Sequence, residues 1–486
     1  MRLMNTLVLG TITALASPTS GQVAQQSPAR PAPAGTLTTP GAAGLARGVN
    51  FGNMLEAPSE GAWGLTVKEI YFDKVVEAGM DHIRLPISWT HHADLEPPYT
   101  IDPVFMDRIA WCVDQAQARN LSIIVNTHHY EALNADPVAE TPRALAIWSQ
   151  IATRFAGEPE TGRGAVYFEV LNEPHGAFNT DPALWNTYLE QAMGVIRQTN
   201  PTRWVMAGPV GYNAISALPT LELPDDARTI ATVHFYSPFA FTHQGAEWVD
   251  PSPPIGAEWT GDGFGLLSPW QNWSWGTSVT PVDGALSVEY QQGWAGLYLR
   301  RESPLEGITR VRVFADTAPE TSRTINLIVG TDDLEQSVQF QMEIRPRWYE
   351  IDLPNGAATV DKVILQNATP SAQSAWPLSR VEVVTQEGDT EPLVGSEAQA
   401  IEASMRSAKR WARRQRGGEG VPMYLGEFGA YSTADMTSRV LWTRSVRRAA
   451  QRNGIGWGYW EFGAGFGFYD PQADAFRAPL LNALTD

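Results

Sequence analysis

The sequence predicts an α/β protein, a (β/α)8 TIM barrel that carries an inserted antiparallel β-sandwich domain. Three observations support this fold class. From residue 46 onward, short apolar runs alternate with longer amphipathic segments, as in repeated strand–helix units. One interval between two of these runs is much longer than the others. Within that interval the apolar residues change from helical spacing to alternation, which is typical of strands with one face in water.

Eight short apolar segments are the predicted barrel strands. They are residues 47–52, 82–88, 121–128, 166–173, 204–209, 230–236, 422–428 and 456–462. Apolar residues recur every three or four positions in the intervening segments. This spacing predicts helices over residues 66–78, 103–119, 182–198, 397–416 and 436–453. Eight parallel strands that alternate with helices are expected to close into a barrel.

The insertion lies between the sixth and seventh strands, which begin at residues 230 and 422. Alternating apolar residues within it include Ile325, Leu327 and Val329. Turn-rich pieces separate such stretches, which predicts an antiparallel β-sandwich over about residues 261–385. Because a loop after a barrel strand lies on the face where the strands end, we expect the sandwich to rise from that face.

The amino-terminal segment predicts secretion. Arg2 precedes an apolar run over residues 7–16, and Ala14, Ala16 and Ser17 have the spacing that a signal peptidase accepts. A helix needs about 20 residues to cross a bilayer, and this run is shorter. We therefore expect it to be cleaved and not to anchor the chain. The residues that follow are rich in Ser, Thr, Pro, Ala and Gly, as in a linker. The expected location is extracellular or periplasmic.

Composition excludes several partners. The chain has 35 Lys plus Arg against 53 Asp plus Glu and a formal charge of −18, which repels nucleic acid phosphates and anionic membranes. We therefore expect no nucleic acid or membrane partner. The single cysteine, Cys112, allows neither an internal disulfide nor a cysteine zinc cluster.

Polar residues occur where the predicted strands end, and such residues converge on one face of a barrel. They are Arg84 on the second strand, His128 and His129 on the third, Asn172 and Glu173 on the fourth, His234 and Tyr236 on the sixth, Glu427 on the seventh and Trp460 on the eighth. The fourth and seventh strands thus each supply one glutamate. One protonated and one ionised carboxyl, placed on both sides of an acetal, form the arrangement that glycoside hydrolysis requires.

Seven segments carry a family resemblance. They are RGVNFGNMLEAP from Arg47, HIRLPISW from His82, VNTHHYE from Val125, EVLNEPHG from Glu169, HFYSPFAFTHQGAEW from His234, LGEFGAY from Leu425 and GYWEFGAGFGFYD from Gly458. In these segments, and in their order, the chain resembles glycoside hydrolase family 5 endoglucanases. The resemblance covers nearly all of the predicted barrel.

The resemblance implies a retaining mechanism with Glu173 as the acid/base and Glu427 as the nucleophile, their carboxyls about 5 Å apart. Arg84 and Tyr236 should donate hydrogen bonds to Glu427 and keep it ionised, while less polar surroundings keep Glu173 protonated. The two pKa values should therefore be pushed apart.

The resemblance also implies a set of sugar-binding side chains. Asn172 should bind the sugar 2-hydroxyl, His234 should lie beside the acid/base, and Trp460 should form a platform under the ring, although it could also be core filling. Further expected contacts come from His128, His129, Asn53, Glu56, His243 and Trp248. The His128–His129 pair could alternatively bind a metal ion, but adjacent residues on a strand point to opposite faces, which disfavours such a site.

The predicted domain plan is a signal peptide (residues 1–24), a disordered linker (25–44), the first part of a catalytic barrel (45–250), an inserted β-sandwich similar to carbohydrate-binding modules (251–390) and the second part of the barrel (391–486). In the insertion, Trp270, Trp273, Trp275 and Trp294 are expected in the sandwich core or an interface more than on an exposed sugar platform, because all-β cores commonly bury tryptophan.

The predicted function is that of a secreted, monomeric endo-β-1,4-glucanase, a retaining cellulase that acts on cellulose or related β-glucans without metal or organic cofactor. One alternative is an endo-β-1,4-mannanase or a mixed glucan/mannan hydrolase, because the same catalytic groups serve both. A second alternative is a non-catalytic polysaccharide-binding protein.

Overall fold

The computed structural model describes residues 45–267, 269–315, 323–342, 347–386, 388 and 390–486. The predicted signal peptide and linker lie outside the described residues. No helix in the described ranges is both long enough and apolar enough to cross a membrane.

The described strands are β1 Arg47–Asn50, β2 His82–Leu85, β3 Ser122–Asn126, β4 Val166–Glu169, β5 Val205–Ala207, β6 Thr229–His234, β7 Phe264–Leu266, β8 Gln271–Asn272, β9 Thr277–Val282, β10 Ala285–Tyr290, β11 Gly296–Ala315, β12 Arg323–Gly330, β13 Glu335–Met342, β14 Arg347–Asp352, β15 Ala358–Asn367, β16 Gln373–Thr385, β17 Thr390–Ser396, β18 Met423–Glu427, β19 Gly456–Tyr459, β20 Tyr469–Asp470 and β21 Ala475–Phe476.

The described helices are α1 Glu69–Glu77, α2 Pro103–Ala118, α3 Glu131–Ala135, α4 Pro137–Arg154, α5 Ala177–Thr180, α6 Pro182–Arg197, α7 Val210–Asn213, α8 Phe239–Thr242, α9 Glu397–Arg414, α10 Met436–Arg452 and α11 Ala478–Thr485.

Strands β1 to β6, β18 and β19 form a closed parallel barrel in that order, with β19 pairing back to β1. The predicted barrel is therefore confirmed, and each of its strands ends before the predicted residue. Strand β3, for example, ends at Asn126 and β4 at Glu169. Several residues that the sequence places on strands consequently lie in the loops that follow them.

Three barrel helices begin with the same Asp-Pro pair. Asp102, Asp136 and Asp181 precede α2, α4 and α6, and each side chain accepts a hydrogen bond from a backbone N–H of the first turn. Proline at the first helical position loses no hydrogen bond, and aspartate is a favourable N-cap. Helix α4 is not among the predicted helices, because Pro142 inside it interrupts the helical pattern of the sequence.

The insertion between β6 and α9 is antiparallel, as predicted. Strands β8, β11, β15, β12 and β13 are neighbours in one sheet, and the far half of β11 pairs with β14 and β16. Alternate residues of these strands bury a separate apolar core that includes Leu297, Leu327, Val363, Trp376 and Val381. The last strand of the insertion, β17, lies beyond residue 385, where the sequence pattern predicts that the alternating region ends. We therefore propose Phe264 and Ser396 as the limits of the sandwich.

Candidate functional site

Arg84, on β2, lies at the centre of a buried polar network. Its Nε and Nη2 donate to the Glu169 carboxylate at 2.6 and 3.0 Å, and Nη1 donates to Glu427 Oε1 at 2.6 Å. Nη1 also donates to Asn50 Oδ1 at 2.9 Å and Nη2 to Asn172 Oδ1 at 2.7 Å. One cation thus orients side chains from β1, β4 and β18 and from the loop after β4.

Glu427, the last residue of β18, is 4% exposed. Besides the bond from Arg84, its Oε2 accepts a hydrogen bond from the Tyr236 hydroxyl at 2.9 Å. Burial nevertheless raises the pKa of Glu427, although the neighbouring His234, Arg84 and Tyr236 act in the opposite direction. The two expected donors are in place and favour the ionised form of Glu427, but desolvation is the largest influence on its pKa and acts against them.

Glu173 lies just after β4 with a left-handed backbone (φ 50°). Its Oε1 is 2.7 Å from Nδ1 of His234, which is also 3.6 Å from Glu427 Oε2. The Asn213 amide donates to His234 Nε2 at 3.2 Å, so His234 Nδ1 carries the proton and donates to Glu173.

Burial controls the protonation of Glu173 and His234. It raises the pKa of Glu173 to about 7, opposed by Arg84 and His175. It also lowers the pKa of His234 to about 4, opposed by Glu427, so His234 is neutral near pH 7. Glu173 is therefore suited to hold a proton where an ordinary glutamate has lost it.

One carboxylate oxygen from each of Glu173 and Glu427 and a His234 nitrogen lie within 4.8 Å of one another. Such a set could also bind a metal ion. The Arg84 guanidinium, at 2.6 Å from Glu427 Oε1, already supplies the positive charge there and would repel a second cation. The arrangement therefore favours acid/base and nucleophilic chemistry over metal binding.

His128, His129 and Trp460 form an aromatic group beside this pair. The His128 ring is stacked on Trp460 at a centroid distance of 5.8 Å and an interplanar angle of 12°, and His129 meets it edge-on at 4.2 Å. His128 is buried, His129 is exposed and Trp460 is partly exposed. Both histidines follow β3 instead of ending it, and His129 has a left-handed backbone (φ 59°). The strand-based argument about their opposite faces was therefore wrong.

Asn53 and Glu56 lie in the loop after β1. Glu56 is 1% exposed, and its carboxylate accepts hydrogen bonds from the backbone N–H groups of Asn53 and Met54. The Asn53 amide donates to Glu461 Oε2 at 3.2 Å. Burial raises the pKa of Glu56 to about 7 and that of Glu461 to about 8. The buried Glu56 carboxylate therefore stabilises the loop after β1, whereas the Asn53 side chain is partly exposed.

His243 and Trp248 lie in the segment after β6. The His243 ring stacks on Phe239 at 4.1 Å, and its Nδ1 is 3.0 Å from Thr242 Oγ1. Trp248 is 59% exposed and meets Tyr431 edge-on at 4.8 Å. Trp248 thus offers an open aromatic face, while His243 is largely covered.

Sequence reasoning missed several members of the network. Asn50 and Glu169 are fully buried on β1 and β4, and a polar residue within an otherwise apolar strand is the signal that could have identified them. Asn213 ends the short helix α7, Glu461 lies in the loop after β19, and neither carries a comparable signal. Only their contacts with His234 and Asn53 identify them.

Comparison with known proteins relates the first part of the barrel to a described family. The family model described as Cellulase (glycosyl hydrolase family 5) matches residues 46–260, ending just before β7. Endoglucanase H of Acetivibrio thermocellus is 38% identical over 200 residues, which cover 41% of this chain and 22% of that protein. Endoglucanase B of Ruminococcus albus is 33% identical over 238 residues, covering 43% and 56%. The chain thus spans little more than half of these curated relatives at most.

Solved structures match over a larger share. One endoglucanase is 30% identical with a TM-score of 0.60, over 90% of this chain and 96% of that chain. Thermotoga maritima Cel5A in complex with cellobiose is 29% identical with a TM-score of 0.60, over 91% and 97%. The same enzyme with mannotriose gives equal values. Together with the closed parallel barrel, these matches show that the chain belongs to glycosyl hydrolase family 5.

Proposed function

We propose that this chain is a secreted endo-β-1,4-glucanase that cleaves internal bonds of cellulose or related β-glucans with retention of configuration. The observation that carries the proposal is the short separation of Glu173 and Glu427. One carboxylate oxygen of Glu173 lies within 4.8 Å of a carboxylate oxygen of Glu427. Retaining glycosidases hold their carboxyls about 5–5.5 Å apart, whereas inverting enzymes need about 6.5–9.5 Å to admit a water molecule.

In the first step, a Glu427 oxygen forms a bond to the anomeric carbon as the bond from that carbon to the leaving oxygen breaks. Glu173 transfers its proton to the leaving oxygen, which departs as the free hydroxyl of the shortened chain. The sugar is then covalently bound to Glu427 with inverted configuration.

In the second step, water attacks the same carbon from the opposite face. Glu173, now ionised, accepts the proton of the water, and the bond to Glu427 breaks. Two inversions give net retention, and both carboxyls return to their initial protonation states.

The other side chains support these steps. The Arg84 bond to Asn172 Oδ1 occupies the acceptor end of that amide, so the donor end is the part that can bind a sugar 2-hydroxyl. This contact gains strength as charge develops on the sugar ring. Trp460 and Trp248 offer partly exposed rings for stacking on sugars.

Matched variants test the assignment of the two glutamates. Glu427→Ala should abolish turnover of a dinitrophenyl cellobioside, and azide should restore it with an inverted glycosyl azide as product. Glu173→Ala should slow hydrolysis of natural glucans by about 10²–10⁴-fold but spare the first step on this activated substrate. With azide, this variant should give a glycosyl azide of retained configuration. The opposite pairing of products would mean that the two roles are exchanged.

Mannan hydrolysis is the second candidate function, because the structurally similar Thermotoga maritima Cel5A was solved with mannotriose as well as cellobiose. A panel of carboxymethylcellulose, barley β-glucan, xyloglucan, glucomannan and mannan separates the two. Turnover of mannan alone would replace the glucanase assignment, and no turnover on any substrate would leave only a binding protein.

Secretion is a separate part of the proposal. It is supported by the basic residue, the apolar run over residues 7–16 and the small residues that follow. Amino-terminal sequencing of protein from the culture medium or periplasm tests it, since a cleaved chain should begin after this run.

A further inference from the structure

One sheet of the sandwich presents a solvent-facing surface that the barrel site does not use. Its strands are β8, β11, β15, β12 and β13 in spatial order. Leu297, Leu299, Leu327 and Leu365 point inward and are buried. Since successive side chains alternate between faces, the residues between them form the outer face.

Aromatic rings cover one end of this outer face. Trp273, Trp275 and Trp294 are 53%, 37% and 51% exposed. The rings of Trp273 and Trp275 lie 6.1 and 6.2 Å from that of Tyr298, between centroids. The expectation that the four tryptophans Trp270, Trp273, Trp275 and Trp294 lie in the core or an interface more than on an exposed surface is therefore wrong for the last three, whereas Trp270 is buried.

Hydrogen bonds hold the rings in place. Trp273 Nε1 donates to Gln271 Oε1 at 3.2 Å, and Trp275 Nε1 donates to the Trp294 carbonyl at 3.0 Å. The Trp275 ring also lies over Gly296, where a Cβ atom would approach it to 2.5 Å. The indole N–H groups of Trp273 and Trp275 are thus satisfied within the protein, and these two rings are held in place without a ligand.

Amide side chains continue the surface across three strands. Gln366 donates to the Trp294 carbonyl at 3.3 Å, Asn326 donates to Gln366 Oε1 at 3.3 Å, and Gln339 donates to Asn326 Oδ1 at 2.9 Å. With strands about 4.8 Å apart, the rings and amides extend over about 19 Å. We call this surface, formed by Trp273, Trp275, Trp294, Tyr298, Gln366, Asn326 and Gln339, the aromatic–amide face.

The cations beside this face are all paired with carboxylates. Arg300 lies over Trp273 and pairs with Asp332 at 2.7 Å, and Lys362 pairs with Asp332 at 3.1 Å and with Glu335. Arg300 also lies 3.8 Å from Asp361. Two cations therefore meet three carboxylates, and a face without excess positive charge matches an uncharged ligand more closely than a nucleic acid or an anionic lipid.

We propose that the aromatic–amide face binds a β-linked glucan chain at a second site, separate from the carboxylate pair. The flat C–H faces of pyranose rings stack on the indoles, and sugar hydroxyls pair with the amides, which both donate and accept. The choice of glucan rests on the proposed function of the barrel. A second contact with the same polymer would keep the barrel at a high local concentration of substrate.

Binding by full-length protein tests this inference. In a Glu427→Ala background, which prevents hydrolysis, Trp273→Ala/Trp275→Ala is compared with Trp348→Ala by affinity electrophoresis in barley β-glucan and by retention on cellulose. Trp348 is a control because it lies on β14, which pairs with the far half of β11 and carries no residue of the aromatic–amide face. We expect at least a tenfold weaker retention for the double variant and none of that loss for the control. Equal retention of both variants would overturn the inference.

Further measurements separate binding from other outcomes. Asn326→Ala should also weaken retention, and thermal unfolding followed by circular dichroism verifies that each variant is folded. Retention on mannan but not glucan, or a dimer that dissociates in the double variant, would assign the face to another occupant and overturn the inference.

Hydrolysis assays on the protein with Glu427 intact distinguish a failure of this inference from a failure of the proposed function. Loss of glucan retention in the double variant, with no hydrolysis by the intact chain, would keep the binding face and reject the glucanase. Hydrolysis by the intact chain, together with unchanged glucan retention in the double variant, would keep the glucanase and reject the binding face.

Discussion

At the scale of single residues, Arg84 connects the two halves of the site. It is fully buried and contacts both Glu169 and Glu427, so one positive charge lies between two negative charges. Removing it would leave two buried carboxylates without their cation, which is strongly unfavourable. Glu169 lies outside the reacting pair, but it helps to position the proposed nucleophile Glu427 because both carboxylates contact Arg84.

The pH dependence of the proposed reaction follows from Glu173. Its pKa is raised to about 7, and only the protonated form can donate to a leaving oxygen. We expect kcat/KM on barley β-glucan to fall about tenfold per pH unit above pH 7, because the acid loses its proton there.

A dinitrophenyl cellobioside supplies the control for this profile. Its leaving group needs no proton, so kcat/KM for this substrate should lack the decline above pH 7. A parallel alkaline decline on both substrates would contradict the assignment of Glu173 as the acid.

At the scale of secondary structure elements, the contact between β1 and β2 shows how tightly the barrel interior is filled. Gly48 pairs directly with His82. The buried His82 ring lies 2.6 Å from Asp81 Oδ1 through Nδ1 and 2.7 Å from the Tyr424 hydroxyl through Nε2. A Cβ atom on Gly48 would lie 2.1 Å from His82 Nε2.

We therefore expect Gly48→Ala to lower the free energy of unfolding by about 1–3 kcal/mol, the usual cost of overpacking a core. Gly194→Ala is the matched control, because Gly194 lies inside α6 with no neighbouring atom within 4 Å of the new Cβ. Alanine there should raise stability by about 0.5–1 kcal/mol. Urea unfolding followed by circular dichroism measures both, and a stabilising Gly48→Ala would show that the ring can move away.

At the scale of the whole molecule, the sandwich enters and leaves through one pair of strands. Phe264 of β7 pairs with Ser396 of β17, and Ser396 is also the N-cap of α9. The Gly263 carbonyl accepts a hydrogen bond from the Glu397 N–H at 3.0 Å. The two connections to the barrel are therefore neighbours.

This geometry allows the sandwich to be removed. Replacing residues 264–395 by three glycines should leave a folded barrel, because paired Cα atoms of antiparallel strands are about 4.5–5.5 Å apart. The shortened protein should still turn over a dinitrophenyl cellobioside. Its kcat/KM on long β-glucan should fall more than its kcat/KM on this small substrate. An equal ratio of the two values before and after removal would rule out a contribution of the sandwich to polymer binding.

The limits of the deletion matter. Ending it at residue 385, as the alternating pattern of the sequence indicates, would leave β17 without its partners β7 and β16. Leu393 and Val394, which are fully buried, would then be exposed. Aggregation of that shorter deletion, compared with a soluble product from the 264–395 replacement, would verify the revised limit.

The sequence by itself determined the features that depend on local pattern. Eight strands, the helices between them and the position of the insertion follow from apolar periodicity, because each element must bury one face or stripe. Glu173 and Glu427 could likewise be selected from their places near the ends of strands. The Asp-Pro pairs before three helices are similarly local signals.

Only the tertiary structure decided what surrounds those residues. The contact of Arg84 with Glu169 and the contact of Asn213 with His234 join residues far apart in the chain. The raised pKa of Glu427 depends on how completely packing excludes water, which composition does not show. Trp273 and Trp270 are three positions apart, yet Trp273 is exposed whereas Trp270 is buried, because Trp270 packs into the apolar core of the sandwich.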